Sequence, residues 1–199
     1  MTSTNQLLNT YITGETSVLK TRLLDILAEK SYIEGKIILA SGKESNYYID
    51  CKQTTLDAMG GLITSVLFLR MLKDEISAVG GISVGADPLT SGVSQLSSFF
   101  DKKIDAFYVR KEPKKHGTSK WIEGPVKHGA KVAILEDVVT TGGSSLKAVD
   151  KAIEFGLNVK QVIAIVDRNE SGKEAFQKRN LDYSYLFDVN KIIERAKAL

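Results

Sequence analysis

The 199-residue chain contains one cysteine, three prolines, two histidines and one tryptophan. A lone Cys51 excludes an internal disulfide and points to a reducing compartment, the cytoplasm. With three prolines and 16 glycines the chain is neither collagen-like nor low-complexity, and 43% hydrophobic residues argue against disorder. No apolar run approaches the roughly 20 residues that cross a bilayer. The most apolar stretch, Gly61–Leu72, contains Arg70, so no membrane segment is expected. The N-terminus MTSTNQLLNTYITGETS has neither the basic start nor the apolar core of a signal peptide. The length suits one domain, 1–199, with no room for a fused second enzyme.

Net charge is also low, +3, but it is not spread evenly. Arg110, Lys111, Lys114, Lys115 and Lys120 stand against the single acid Glu112, a local net of +4, while the rest of the chain is net −1. A polyanion-binding function therefore belongs to this one segment, which also holds His116 and Pro113. The bland alternatives are a solvated loop and a nucleic-acid patch. His128, the other histidine, lies beside a glycine turn and is expected to be structural or solvated.

Leu19, Leu23, Ile26 and Leu27 recur at helical spacing, which predicts a helix over Gly14–Lys30 with Thr13 as its N-cap. Tyr32–Leu39 and Tyr47–Ile49 are rich in β-branched and aromatic residues around a Ser41–Asn46 turn, the pattern of a hairpin appendage. From there short apolar strands alternate with helices, predicting an α/β fold with a mostly parallel sheet covered on both faces. The expected elements are helix Leu56–Lys73, strand Ala78–Val84, a helix capped by Asp87 with Pro88 in first place and running to Phe100, and strand Ile104–Val109. Strand Lys131–Leu135, loop Val138–Gly143, helix Ser144–Phe155 stopped by Gly156, and strand Val159–Val166 follow. A helix after Ser171, strand Tyr183–Phe187 and helix Val189–Lys197 close the chain.

Chemistry concentrates where such strands end, because ligands of open α/β sheets sit beyond the strands' carboxyl ends. In VAILEDVVTTGGSS, Val132–Ser145, Gly142 and Gly143 permit close backbone approach. Thr140, Thr141, Ser144 and Ser145 supply hydroxyls, and a helix start supplies free N–H groups. That is a phosphate cradle. Glu136 and Asp137 just before it suit vicinal hydroxyls or the waters of a divalent cation, so a phosphorylated sugar satisfies both halves. The loop is neither a Walker A nor a dinucleotide fingerprint.

Val132–Ser145 resembles the phosphoribosyl pyrophosphate (PRPP) motif of type I phosphoribosyltransferases. Tyr108–Gly124 is similar to the catalytic loop of the orotate phosphoribosyltransferases, with Arg110, Lys111, Glu112, Lys114, His116 and Gly117 in the family's order. Ser41–Asp50 resembles their hood segment, and Asp167-Arg168 their Asp-Arg pair. Taken alone, the hood segment reads better as a glycine-turn hairpin with core tyrosines, and Arg168 equally well as an ordinary partner of Asp167.

The resemblance implies the type I fold, a small N-terminal hood over about 1–54, and transfer of 5-phosphoribose from PRPP to orotate in pyrimidine nucleotide synthesis. It implies Lys114, His116 and Asp137 as catalytic residues. Arg110, Lys111, Lys114, His116, Glu136, Asp137, Val138, Val139, Thr140, Thr141, Gly142, Gly143 and Ser144 would bind PRPP, and Thr140, Arg168, Tyr47 and Tyr48 orotate. Mg2+ would be held by the substrates, at most through water to Glu136 and Asp137. A homodimer sharing the loop between chains is implied, with no nucleic acid and no membrane. The alternatives are a purine phosphoribosyltransferase and a non-catalytic PRPP-sensing regulator. Two departures stand out: Ala40, and the Gly85-Ala86-Asp87-Pro88 turn, occupy positions where some relatives carry lysine; Asp87 is a candidate to act through water or metal.

Overall fold

A computed structural model describes residues 10–38, 44–113 and 120–199. Six strands form the main sheet: β3 (Ala78–Ile82), β4 (Asp105–Val109), β5 (Ile122–Glu123), β6 (Lys131–Val139), β7 (Asn158–Asp167) and β8 (Asp182–Asp188), in the order β5-β4-β3-β6-β7-β8. All neighbours are parallel except β5, which runs antiparallel to β4. From β3 the chain moves outward to β4, then returns to place β6 on β3's other side. The order thus reverses between β3 and β6, where open α/β sheets form their ligand crevice.

β6 and β7 read as near-continuous apolar runs because both faces of the sheet are covered. Ala133, Leu135, Ile163 and Ile165 pack under helices α1 (Thr16–Lys30), α3 (Ala58–Met71), α4 (Asp87–Ser97) and α7 (Val189–Ala198). Val132, Ile134, Val162 and Ala164 pack under α5 (Gly143–Glu154) and α6 (Gly172–Gln177). The hairpin β1 (Tyr32–Ile38) and β2 (Glu44–Ile49) is a separate two-stranded sheet, tied to α3 through the single turn α2 (Lys52–Thr55).

Several boundaries differ from expectation for identifiable reasons. Thr13 does not cap α1: residues 10–13 are themselves helical, and Glu15 is the extended N-cap. Arg70 holds this break by donating to the Thr16 hydroxyl and the Ile12 carbonyl, each at 2.9 Å. The helix expected from Leu56 starts at Ala58, because the Asp57 carboxylate accepts from Met59 and Gly60 N–H and caps it there. Asp87 is inside α4, not its cap; its carboxylate instead accepts the Ser83 hydroxyl at 2.9 Å. β6 continues past Leu135, since Glu136, Val138 and Val139 keep register with Ala164, Val166 and Asp167 of β7, so Val138 and Val139 are strand. β5 escaped the sequence pattern because two residues are too few to show alternation.

Candidate active site

The site sits at the carboxyl ends of β6 and β7. Alternation along β6 sends its two acids to opposite faces. Glu136 turns toward α5, is 6% exposed, and accepts the Ser145 hydroxyl at 2.8 Å. Burial first, and the neighbouring Asp137 charge second, push its carboxyl up to about 8, against the hydrogen bonds from Ser145 and Ser144. The Tyr183 ring is the other ionisable group within electrostatic reach of it.

The folded protein thus holds the Glu136 proton more tightly than the unfolded chain, whose value is 4.5. The stability this contributes is full below about 4.5 and is lost as pH rises through about 8. Glu136→Gln, which keeps a Ser145 acceptor without a titratable proton, is expected to gain Tm relative to the wild type progressively from pH 5 to about 9. Calorimetric scans of both proteins across that range check it; a pH-independent difference would contradict the assignment.

Asp137 faces the other way, into the crevice between β3 and β6. One carboxylate oxygen accepts its own neighbour's Val138 N–H at 2.8 Å. A Cβ at Gly85 would come within 3.0 Å of this carboxylate, so the turn after β3 packs closely on Asp137. On the hood side, the Lys52 ammonium pairs with Asp50 at 2.5 Å. That bond, and the Asp137 charge more weakly, raise the lysine above its ordinary value. Sequence reading missed Lys52; an Asp-x-Lys at the hood strand's end is the only trace it leaves.

Beyond β6 the chain forms the expected cradle. Gly142 adopts φ +79° as the N-cap of α5, and Leu146 N–H returns to its carbonyl at 2.9 Å. Glu136, Val138, Val139 and the loop Thr140–Ser145 line a cavity of about 130 Å³, room for a phosphate group with its waters. A Cβ on Gly142 would lie 3.1 Å from the Phe176 ring. Gly142→Ala is therefore expected to cost about 1–2 kcal/mol of stability for the left-handed backbone. It should also weaken PRPP binding through the displaced loop; denaturant titration and calorimetry check the two effects.

Arg168 leaves β7 with its N–H on the Val139 carbonyl at 2.9 Å, which fastens it to the end of β6. Its guanidinium lies 5.1 Å from the Tyr47 ring centroid and donates to the Tyr47 hydroxyl at 3.5 Å. The simple Asp167 ion pair does not form, because the Asp167 carboxylate accepts the Tyr183 hydroxyl at 2.8 Å and Asn169 N–H at 2.7 Å. Among the described residues, Arg168 Nε and Arg110 Nε are buried and find no hydrogen-bond partner, so two site arginines hold an unused donor there. Tyr48, one residue on from Tyr47, faces the opposite side of β2 and is 37% exposed. The structure brings Tyr47, not Tyr48, to Arg168.

Arg110 and Lys111 follow β4; Arg110 N–H bonds the Trp121 carbonyl at 2.9 Å, and its side chain meets Glu123 at 3.4 Å. Lys114, His116 and Gly117, with Ala40 and the Ser41–Lys43 part of the hood, lie outside the described residues. His128 stacks on Phe155, centroids 4.6 Å apart, and takes no part in the site. Among the described residues no group of three His, Cys, Asp or Glu side chains gathers to hold a metal, and no helix is long and apolar enough to cross a membrane.

No family model matches the chain. Individual proteins do. It is 42% identical over 188 residues to an orotate phosphoribosyltransferase of Nostoc sp., covering 94% of this chain and 91% of that one. It is 45% identical over 171 residues to the Synechocystis enzyme of that name, covering 85% and 86%. The crystal structure of Mycobacterium tuberculosis orotate phosphoribosyltransferase in complex with PRPP superposes with a TM-score of 0.74 at 30% identity, covering 87% of this chain and 98% of that one. The sheet order, the cradle after β6 and these likenesses agree, and the chain belongs to the orotate phosphoribosyltransferase family.

Proposed function

We propose that the site transfers 5-phosphoribose from PRPP to orotate, releasing pyrophosphate and forming orotidine 5′-monophosphate for pyrimidine synthesis. The observation that carries this reading is the meeting of three groups at two strand ends: the glycine cradle, the Asp137 carboxylate and the Arg168–Tyr47 pair. The cradle takes the 5′-phosphate on helix N–H groups and hydroxyls. Asp137 receives the ribose hydroxyls, a role Glu136 shares less readily because its carboxyl is buried and held by Ser145. Arg168 offers a planar donor set to the anionic pyrimidine, with Tyr47 shaping one side of it. Lys111, Lys114 and His116 neutralise charge growing on the pyrophosphate as the glycosidic bond breaks. No covalent nucleophile is needed, consistent with Cys51 being fully buried and its thiol pushed up by that burial.

A crevice-facing carboxylate such as Asp137, beside a polyphosphate, suits a hard cation. Mg2+, carried in by the pyrophosphate, would meet Asp137 through water and neutralise the leaving group. A homodimer is supported by a groove of about 360 Å³ between α3 and α4, with Leu56 and Phe99 more than 70% exposed at its side; that the chains share the basic segment rests on the family resemblance alone. The reducing cytoplasm suits the free Cys51.

Offering the purified protein orotate, uracil, adenine and hypoxanthine in turn, with PRPP and Mg2+, tests the proposal. Consumption of orotate alone is expected. Turnover of a purine instead would overturn the choice of base, and PRPP binding without any turnover would favour a sensor.

A further inference from the structure

α5 begins in the phosphate cradle and runs beneath the neck of the basic segment. Lys147, four residues and about one turn beyond Gly143, sends its ammonium to the Lys111 carbonyl at 3.0 Å and sits 5.5 Å from the centroid of the Trp121 ring. Lys151, one turn further on the same face, approaches that ring at 4.4 Å and is itself tied to Glu154 at 2.7 Å. Lys111 lies at the start of the basic segment and Trp121 just after its end. The neck between them is closed by Arg110 N–H on the Trp121 carbonyl and by the Val109–Ile122 pairing of β4 with β5. One side chain thus contacts both strands of the neck.

Electrostatics alone disfavours this position, since another ammonium beside a segment of net +4 is repelled. A backbone carbonyl and an aromatic face are the two neutral partners that offset such repulsion, and both are present. We propose that Lys147 is a positioning residue for the ribosyl transfer, tying the neck of the basic segment to the helix whose first turn cradles the phosphate, so that Lys111, at the neck, approaches the leaving group from a fixed direction. This rests on the site's reading given above. Lys147 itself touches no reacting atom; it acts through the Lys111 backbone and Trp121.

Trp121 is the only tryptophan in the chain, so its fluorescence reports on this neck. PRPP added to the wild type is expected to change Trp121 emission. In Lys147→Met, which keeps the aliphatic stem and loses the donor, that change is lost while PRPP still binds by calorimetry with affinity within about threefold. Its kcat falls between about ten- and a hundredfold, the scale of misplaced reacting groups, with KM for PRPP nearly unchanged. Lys147→Arg restores both emission change and kcat, because a guanidinium also donates to a carbonyl and stacks on a ring. Lys151→Met, which leaves the Lys147 bond to the Lys111 carbonyl in place, lowers kcat by less than Lys147→Met does. A Lys147→Met enzyme with wild-type kcat, or one that loses only PRPP affinity, overturns the proposal; the latter would mean Lys147 serves as an anion contact. A wild type that turns over no orotate fails the reading of the site instead, and the two failures are told apart by running the wild type first.

Discussion

Lys114→Ala is expected to lower kcat by about a hundred- to a thousandfold, the scale set by removing one preorganised donor from a developing anion. Its PRPP affinity should change by less than about threefold. The asymmetry follows from where charge grows. In the proposed reaction PRPP is held in the ground state by the loop after β6, whose N–H groups and hydroxyls line a cavity suited to the 5′-phosphate at the far end of the molecule. In the proposed reaction Lys114 meets the pyrophosphate, whose charge increases only as the glycosidic bond breaks, so its contribution is expected mainly in the transition state. Asp137→Asn is the contrasting case, because Asp137 stands in the crevice between β3 and β6 and in the proposed reaction meets the sugar in both ground and transition states; both kcat and PRPP affinity should fall. Steady-state kinetics with calorimetric PRPP titration of both variants check the pair, and equal small losses in both would contradict these roles.

Arg168→Ala should reduce kcat/KM for orotate by about a hundredfold or more while leaving KM for PRPP within about threefold, following the roughly 2–5 kcal/mol attached to truncating one side of a buried charged pair. The geometry suits the proposed role: the Arg168 backbone is fastened to Val139, its guanidinium meets Tyr47, and its buried Nε has no hydrogen-bond partner among the described residues. Arg168→Lys should recover only a minor part of the loss, since an ammonium offers neither the planar fork nor the stacking surface. Substrate-saturation curves for orotate and for PRPP separate the two effects. A variant in which PRPP binding suffers as much as orotate binding would place Arg168 in the sugar-phosphate half of the site.

Those two residues also mark how far the chain can be read without coordinates. The cradle was legible because its chemistry is local: hydroxyls, glycines and a helix start are consecutive in Thr140–Ser145, and short-range spacing carries the whole device. The alternation of strand and helix from Ala58 onward was legible for the same reason. Partnerships across the sheet were not. Whether Arg168 pairs with Asp167 or reaches over to Tyr47 depends on Tyr183, sixteen residues from Asp167 and placed by the β7–β8 register, which takes the carboxylate first. Tyr47 and Tyr48 are equivalent in sequence, and only the orientation of β2 against Arg168 separates them. Glu136 and Asp137, likewise adjacent and alike, divide into a buried, Ser145-bound carboxyl and a crevice-facing carboxylate because β6 continues as strand through both. Lys52 leaves only an Asp-x-Lys trace and Lys147 none; their places follow from the packing of α2 and α5.

The most direct test of the central claim follows orotate absorbance and pyrophosphate release together in one reaction containing the purified protein, PRPP and Mg2+. Loss of orotate matched mole for mole by pyrophosphate, with no pyrophosphate released when orotate is omitted, is the predicted result. Pyrophosphate released without orotate consumption, or orotate left intact while adenine or hypoxanthine is consumed under the same conditions, would contradict it.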